Sequence, residues 1–63
     1  MIGRKIKMLK RALRCSQESL ANLLGVSQTI ISNWEQNYDK PSLKRLEDLQ
    51  RLCDKKEINI RFL

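Results

Sequence analysis

Only Val26 and Ser27 stand between Gly25 and the next run of helical periodicity, and this spacing constrains the fold more than any other feature of the chain. Upstream, Ser16 offers a side-chain oxygen to the free amides of a helix, Glu18 suits that helix's positive end, and Leu20, Ala21 and Leu24 form its apolar face. Gly25 stops this helix, because glycine enters the left-handed conformation of a helix C-terminus without steric cost. Ser27 caps the helix that follows. The chain therefore turns sharply between two short helices.

In the second of these, Ile30, Ile31 and Trp34 cluster on one side of a helical wheel, while Gln28, Thr29, Ser32, Asn33 and Gln36 lie opposite. A face exposed only to solvent usually carries Lys and Glu. This one carries amides and hydroxyls that both donate and accept hydrogen bonds, the repertoire that reads base edges, although chance also produces such faces. Asn37 tolerates the left-handed turn and ends the helix, and residues 38–41 form a polar loop.

Two longer helices flank this pair. Ile2, Ile6, Leu9 and Leu13 form one apolar stripe over residues 3–14, and Ser42 caps a helix whose apolar side is Leu43, Leu46, Leu49 and Cys53. Leu52 lies at the edge of that side, and Glu47, Asp48 and Arg51 point away from it. Lys44 and Arg45 occupy the first turn, where the helix dipole disfavours positive charge. A phosphate bound by the free amides and both side chains would resolve the conflict; the plain alternative is an uncompensated cost of roughly 0.3–1 kcal/mol per charge. Residues 57–63 alternate Ile58, Ile60 and Phe62 with Asn59 and Arg61, the period of a strand. No other segment alternates, so such a strand pairs with its copy across a twofold axis and buries Ile58, Ile60 and Phe62 on the helices; the rival is a short fifth helix.

A chain of 63 residues makes one domain and buries only about 60% of its unfolded surface, so a staple is expected. Metal is a poor candidate, since there is no histidine and Cys15 and Cys53 have no ligand spacing. A single disulfide between Cys15 and Cys53 is the alternative, but without a secretion signal the two cysteines read better as reduced, half-buried residues of a cytoplasmic protein. No apolar run approaches the roughly 20 residues of a membrane span. Thirteen Lys and Arg against seven Asp and Glu give a net charge of +6 and a pI near 9.8, the footprint of a polyanion binder. Residues 1–15 carry six bases, Arg4, Lys5, Lys7, Lys10, Arg11 and Arg14, and no acid. No nucleophile paired with a base can be assembled, so an enzyme is not expected, and no cofactor is implied.

The run SQESLANLLGVSQTIISNWEQNYDKPSL resembles the helix-turn-helix family of phage Cro and repressor proteins, the Cro/C1-type or XRE family. The matching features are the SQ-x-x-LA start, the LGVS turn, the I-S-x-WE centre and the KPSL motif, without gaps, and IKMLKRALRCSQ extends the likeness to residues 2–53. The family commonly has WENG where this chain has Trp34, Glu35, Gln36 and Asn37. The tail beyond Asp54 is similar to members, some antitoxins among them, in which a terminal strand pairs across a dimer.

The resemblance implies an all-α, lambda-repressor-like bundle of four or five helices: a DNA-binding domain over residues 1–54 and a dimerisation segment over 55–63. It implies base reading by Gln28, Thr29, Ser32 and Asn33 with Ser27 and Gln36 nearby, and backbone contacts by Ser16 and Gln17. Lys40, Ser42, Leu43 and Lys44 match a phosphate clamp. Gln36 also stands among the expected phosphate contacts, and Trp34 matches the core. The expected function is a dimeric repressor on an inverted repeat of double-stranded DNA. Two alternatives stand beside it: an antitoxin-type regulator that also binds a toxin protein, for which exposed Met8 and Leu23 would offer a surface, and an interaction bundle without DNA binding.

Overall fold

A computed structural model describes residues 1–63, with four helices, α1 (Ile2–Leu13), α2 (Gln17–Leu24), α3 (Gln28–Glu35) and α4 (Leu43–Lys55), and no strand. The starts of three helices follow from serine chemistry: Ser16 accepts the amide of Ser19, Ser27 that of Ile30 and Ser42 that of Arg45. Left-handed residues end the first three helical segments. Gly25 (φ 71°) closes α2 and Asn37 (φ 61°) turns the chain after α3, as their residue types imply. Arg14 does the same for α1 at φ 53°, so α1 stops one residue short of the expected boundary; it also begins one residue earlier.

The core gathers Ile6 and Leu9 of α1, Leu20, Ala21 and Leu24 of α2, Ile31 and Trp34 of α3, and Leu49 and Cys53 of α4. Packing runs chiefly α2 on α3 and α1 on α3, with α4 laid against α2. At the α1–α3 crossing the backbones nearly touch: a Cβ on Gly3 would lie 2.3 Å from the Glu35 carbonyl oxygen. The Gly3 amide donates to Asn37 Oδ1 at 3.0 Å, so Asn37 turns the chain and also satisfies an otherwise free amide of α1. Both thiols are free, Cys15 half-buried and Cys53 buried; burial, then the neighbouring Asp54 charge, pushes the Cys53 thiol above its usual range.

Three side chains depart from the periodicity reading. Ile30 is exposed, because two turns of α3 bury only the narrow edge of Ile31, Trp34 and Glu35. Leu43, expected on the apolar side of α4, is 66% exposed at the first position of that helix. Asp48 does not point away; it is half-buried and pairs with Arg45 at 3.3 Å and Arg51 at 3.6 Å. Met8 and Leu23 are exposed.

The tail forms no fifth helix, and it bends at Asn59, where the Ile60 amide donates to the Ile58 carbonyl at 3.0 Å. Its alternation is realised within one copy: Ile60 and Phe62 are buried in the core, Ile58 packs at its edge, and Asn59 and Arg61 face solvent. Gln50 of α4 holds it, accepting from the Phe62 amide at 2.7 Å and the Leu63 amide at 3.4 Å and donating to the Ile60 carbonyl at 3.4 Å. No helix is long and apolar enough to cross a membrane.

Candidate nucleic-acid interface

α3 is held from below by Ile31 and Trp34, which leaves its opposite side outward: Ser27, Gln28 and Thr29 are exposed at its N-terminal end, Ser32 and Asn33 are half-buried midway, and Gln36 is exposed at its end. No charged side chain sits in its first turn. Gln36 Nε2 donates to Ser32 Oγ at 2.9 Å, which leaves the Ser32 hydroxyl hydrogen free to donate outward.

Ser16 and Gln17 lie at the start of α2, and Gln17 is brought directly to Gln28: Gln28 Nε2 donates to Gln17 Oε1 at 3.3 Å. Gln17 Nε2 in turn donates to Glu35 Oε2 at 3.0 Å. Glu35 is buried at 6% exposure, and Lys10 Nζ approaches its other oxygen at 2.6 Å as an ion pair rather than an aligned hydrogen bond. The four side chains form one chain, Lys10, Glu35, Gln17, Gln28, running from α1 through α3 and α2 to the outward face. Glu35 escapes a reading of the sequence because a Glu after Trp34 looks like an ordinary surface residue; the legible signal is its i, i+4 spacing from Ile31 on the buried edge.

Burial acts to raise the Glu35 carboxyl, but the hydrogen bond from Gln17, the close Lys10 ammonium and the charge of Lys7 outweigh it and hold the group below its ordinary value of 4.5, hence ionised at neutral pH. An anion fixed there orients the Gln17 amide, and the Gln17 carbonyl then orients Gln28. Gln28 keeps its own carbonyl and one N–H free, side by side, the pair that meets adenine N6 and N7 in the major groove.

Lys40, Ser42, Leu43 and Lys44 are all exposed around the start of α4, and no hydrogen bond joins them to the α2–α3 residues. The backbone amide of Lys40 is taken by Asp39, and Ser42 is the α4 cap. Arg45 is not free for a phosphate: its guanidinium donates to the Leu24 carbonyl at 3.1 Å and to Asp48 at 3.3 Å, satisfying the end of α2 and relieving its conflict with the α4 dipole internally. Lys44 alone of the first-turn pair projects free. Ile58, Ile60 and Phe62 lie on the tail, Ile60 and Phe62 spent mainly on the molecule's own core.

A family model described as helix-turn-helix matches residues 6–58, which spans all of α2, α3 and α4 and most of α1. No curated protein and no solved structure shows a significant match to the chain.

Proposed function

The chain belongs to the Cro/C1-type helix-turn-helix family of DNA-binding transcription regulators, and from that premise we propose that it is a repressor that binds an inverted repeat as a homodimer. The observation that carries the reading is the Lys10–Glu35–Gln17–Gln28 chain, which presents an oriented, uncharged amide on the open side of α3. α3 enters the major groove with Gln28 on an adenine, and Thr29, Ser32, Asn33 and Ser27 reach adjoining base edges. A good bidentate pair discriminates by roughly 1–3 kcal/mol against the wrong base. On one flank the start of α2, Ser16 and Gln17, takes the sugar-phosphate backbone; on the other Lys40, Lys44 and the first amides of α4 at Ser42 and Leu43 do so, with Gln36 at the far end of α3.

One subunit reads too few base pairs to select a genomic site. The longest dimension of the molecule is 27 Å, shorter than the roughly 34 Å turn of DNA, so two copies stand on successive turns of one face without collision. Unpaired backbone in the tail supports a twofold contact: beside the groups that Gln50 and Lys5 hold, the Asn59 amide and carbonyl and the Arg61 amide have no partner within the chain. Ile58 lies at the margin of the core, with Ile60 and Phe62 buried. Strand pairing between two copies, with the turn at Asn59 opened, would satisfy these groups. Bound at a promoter, such a dimer represses by excluding polymerase.

Selection from a randomised duplex pool at two salt concentrations tests this. Enrichment of an inverted repeat, with retention falling steeply as salt rises, is the expected result. An absence of enrichment at either salt sinks the proposal.

A further inference from the structure

The charge of this protein is distributed against expectation for a DNA reader. Residues 16–42, which include α2, the turn, α3 and the following loop, carry one base, Lys40, and three acids, Glu18, Glu35 and Asp39, for 1 − 3 = −2. Residues 43–63 carry six bases and four acids, 6 − 4 = +2, and residues 1–15 carry six bases and no acid, +6. The three sum to the +6 of the chain. The reading unit by itself repels a polyphosphate, and the attraction that supplies most non-specific affinity has to come from elsewhere.

α1 supplies it in one place. Lys7, Lys10 and Arg11 fall at i, i+3 and i+4 on one face of α1, Arg14 follows at its left-handed C-terminus, and together with Cys15 and Glu35 they line a single open depression of about 500 Å³. Lys10 neutralises Glu35 in its floor. Lys7, Arg11 and Arg14 are exposed and form no ion pair within the chain. This shelf is joined to the reading face through Glu35, Gln17 and Gln28, each link being about one hydrogen bond long, and Arg14 lies two residues before Ser16 at the start of α2. Seven residues at about 1.5 Å each spread the three free bases over about 10 Å, and the length of their side chains extends that reach to neighbouring phosphates of one strand.

Resting on the DNA-binding reading above, we propose that Lys7 and Arg11 of α1, with Arg14 just beyond it, form a second backbone grip, which holds the strand that passes the α2 side of the reading helix and supplies the main electrostatic attraction. The grip carries no sequence information, since a row of cations meets phosphates of any sequence alike.

The test uses the full chain, a duplex enriched from the randomised pool and a scrambled duplex of equal length, with affinity measured by fluorescence anisotropy across 50–200 mM salt. K7Q/R11Q/R14Q is expected to weaken both duplexes by the same factor and to make the log–log salt slope shallower by about 2.7, at about 0.9 for each phosphate no longer neutralised. K7R/R11K/R14K should restore the native slope. R51Q/K55Q/K56Q, at the far end of α4, removes the same charge and should leave the slope near native. The proposal is overturned if the α1 variant keeps the native slope, or if the α4 variant loses as much, which would make net charge alone the cause. Should the unaltered chain bind neither duplex, the DNA-binding reading itself fails, and that result is distinct from a change in slope. Lys7, Arg11 and Arg14 are all exposed, and helical circular dichroism verifies that each variant is folded.

Discussion

Glu35 is an anion held between Lys10 and Gln17, and its burial ties stability to pH. Its carboxyl lies below the ordinary value of 4.5 in the folded chain, so the stabilisation is present in full above the unfolded value and is lost as pH falls through the folded one. Urea midpoints measured from pH 7 to pH 3 should therefore decline below about pH 4.5. Glu35→Gln should cost about 2 kcal/mol at pH 7, since it leaves the half-buried Lys10 ammonium without its partner, and its deficit should narrow as the medium acidifies. A deficit constant with pH would show that the charge of Glu35 does not support the fold. Gly3 presents a different constraint. Alanine there would push a Cβ against the Glu35 carbonyl, and the backbone of α3 cannot yield as a flexible side chain would. Gly3→Ala is expected to destabilise by about 1–3 kcal/mol in urea unfolding, despite alanine's better helix propensity. A gain in stability would refute the close crossing of α1 and α3.

At the scale of elements, α4 acts as a clamp. Its Arg45 satisfies the end of α2, its Leu49 and Cys53 enter the core, and its Gln50 bonds the tail at three backbone groups. Lys5 of α1 also donates to the Arg61 carbonyl, so the tail is tied from two helices. Each such bond contributes on the order of 1 kcal/mol net, and removing one side chain forfeits all three at Gln50. Gln50→Ala should accelerate hydrogen exchange at the Phe62 and Leu63 amides while the amides in the middle of α1 and α3 keep their protection. If tail exchange is unchanged, Gln50 does not hold the tail. The α2–α3 pair is organised otherwise: each helix has only eight residues, too short to persist alone, and each depends on its serine cap and on burial against the other.

For the whole molecule, the two tail residues Ile60 and Phe62 make up two of eleven core side chains, a large share for a domain whose total stability is on the order of 3–9 kcal/mol. Phe62→Ala should cost about 3 kcal/mol, measured by thermal unfolding. Because Phe62 packs on its own chain, the loss should persist at low protein concentration, where a dimer dissociates. A loss that disappears on dilution would place Phe62 in an interface between copies and outside the monomer core. The charge has a molecular scale as well, with α1 and Arg14, the residue that follows it, carrying +6 and the reading unit −2, so that attraction and discrimination reside on different helices.

Helix number, the serine caps, the left-handed turns at Gly25 and Asn37 and the outward polar side of α3 are all readable in the sequence, because each depends on residues within one or two turns of one another. The motif around the turn carries the family for the same reason: a gapless local pattern needs no tertiary knowledge. Periodicity is a weaker guide at helix ends, and Ile30 and Leu43 escape it because a face is buried only where a neighbour covers it. Pairings between distant residues are decided by the tertiary structure alone. Gly3 meets Asn37 across 34 positions and Gln17 meets Glu35 across 18, and Arg45 is diverted from a phosphate by the end of α2. Such pairings follow from how four helices settle on one another, a balance of many small packing terms that no short stretch of sequence encodes.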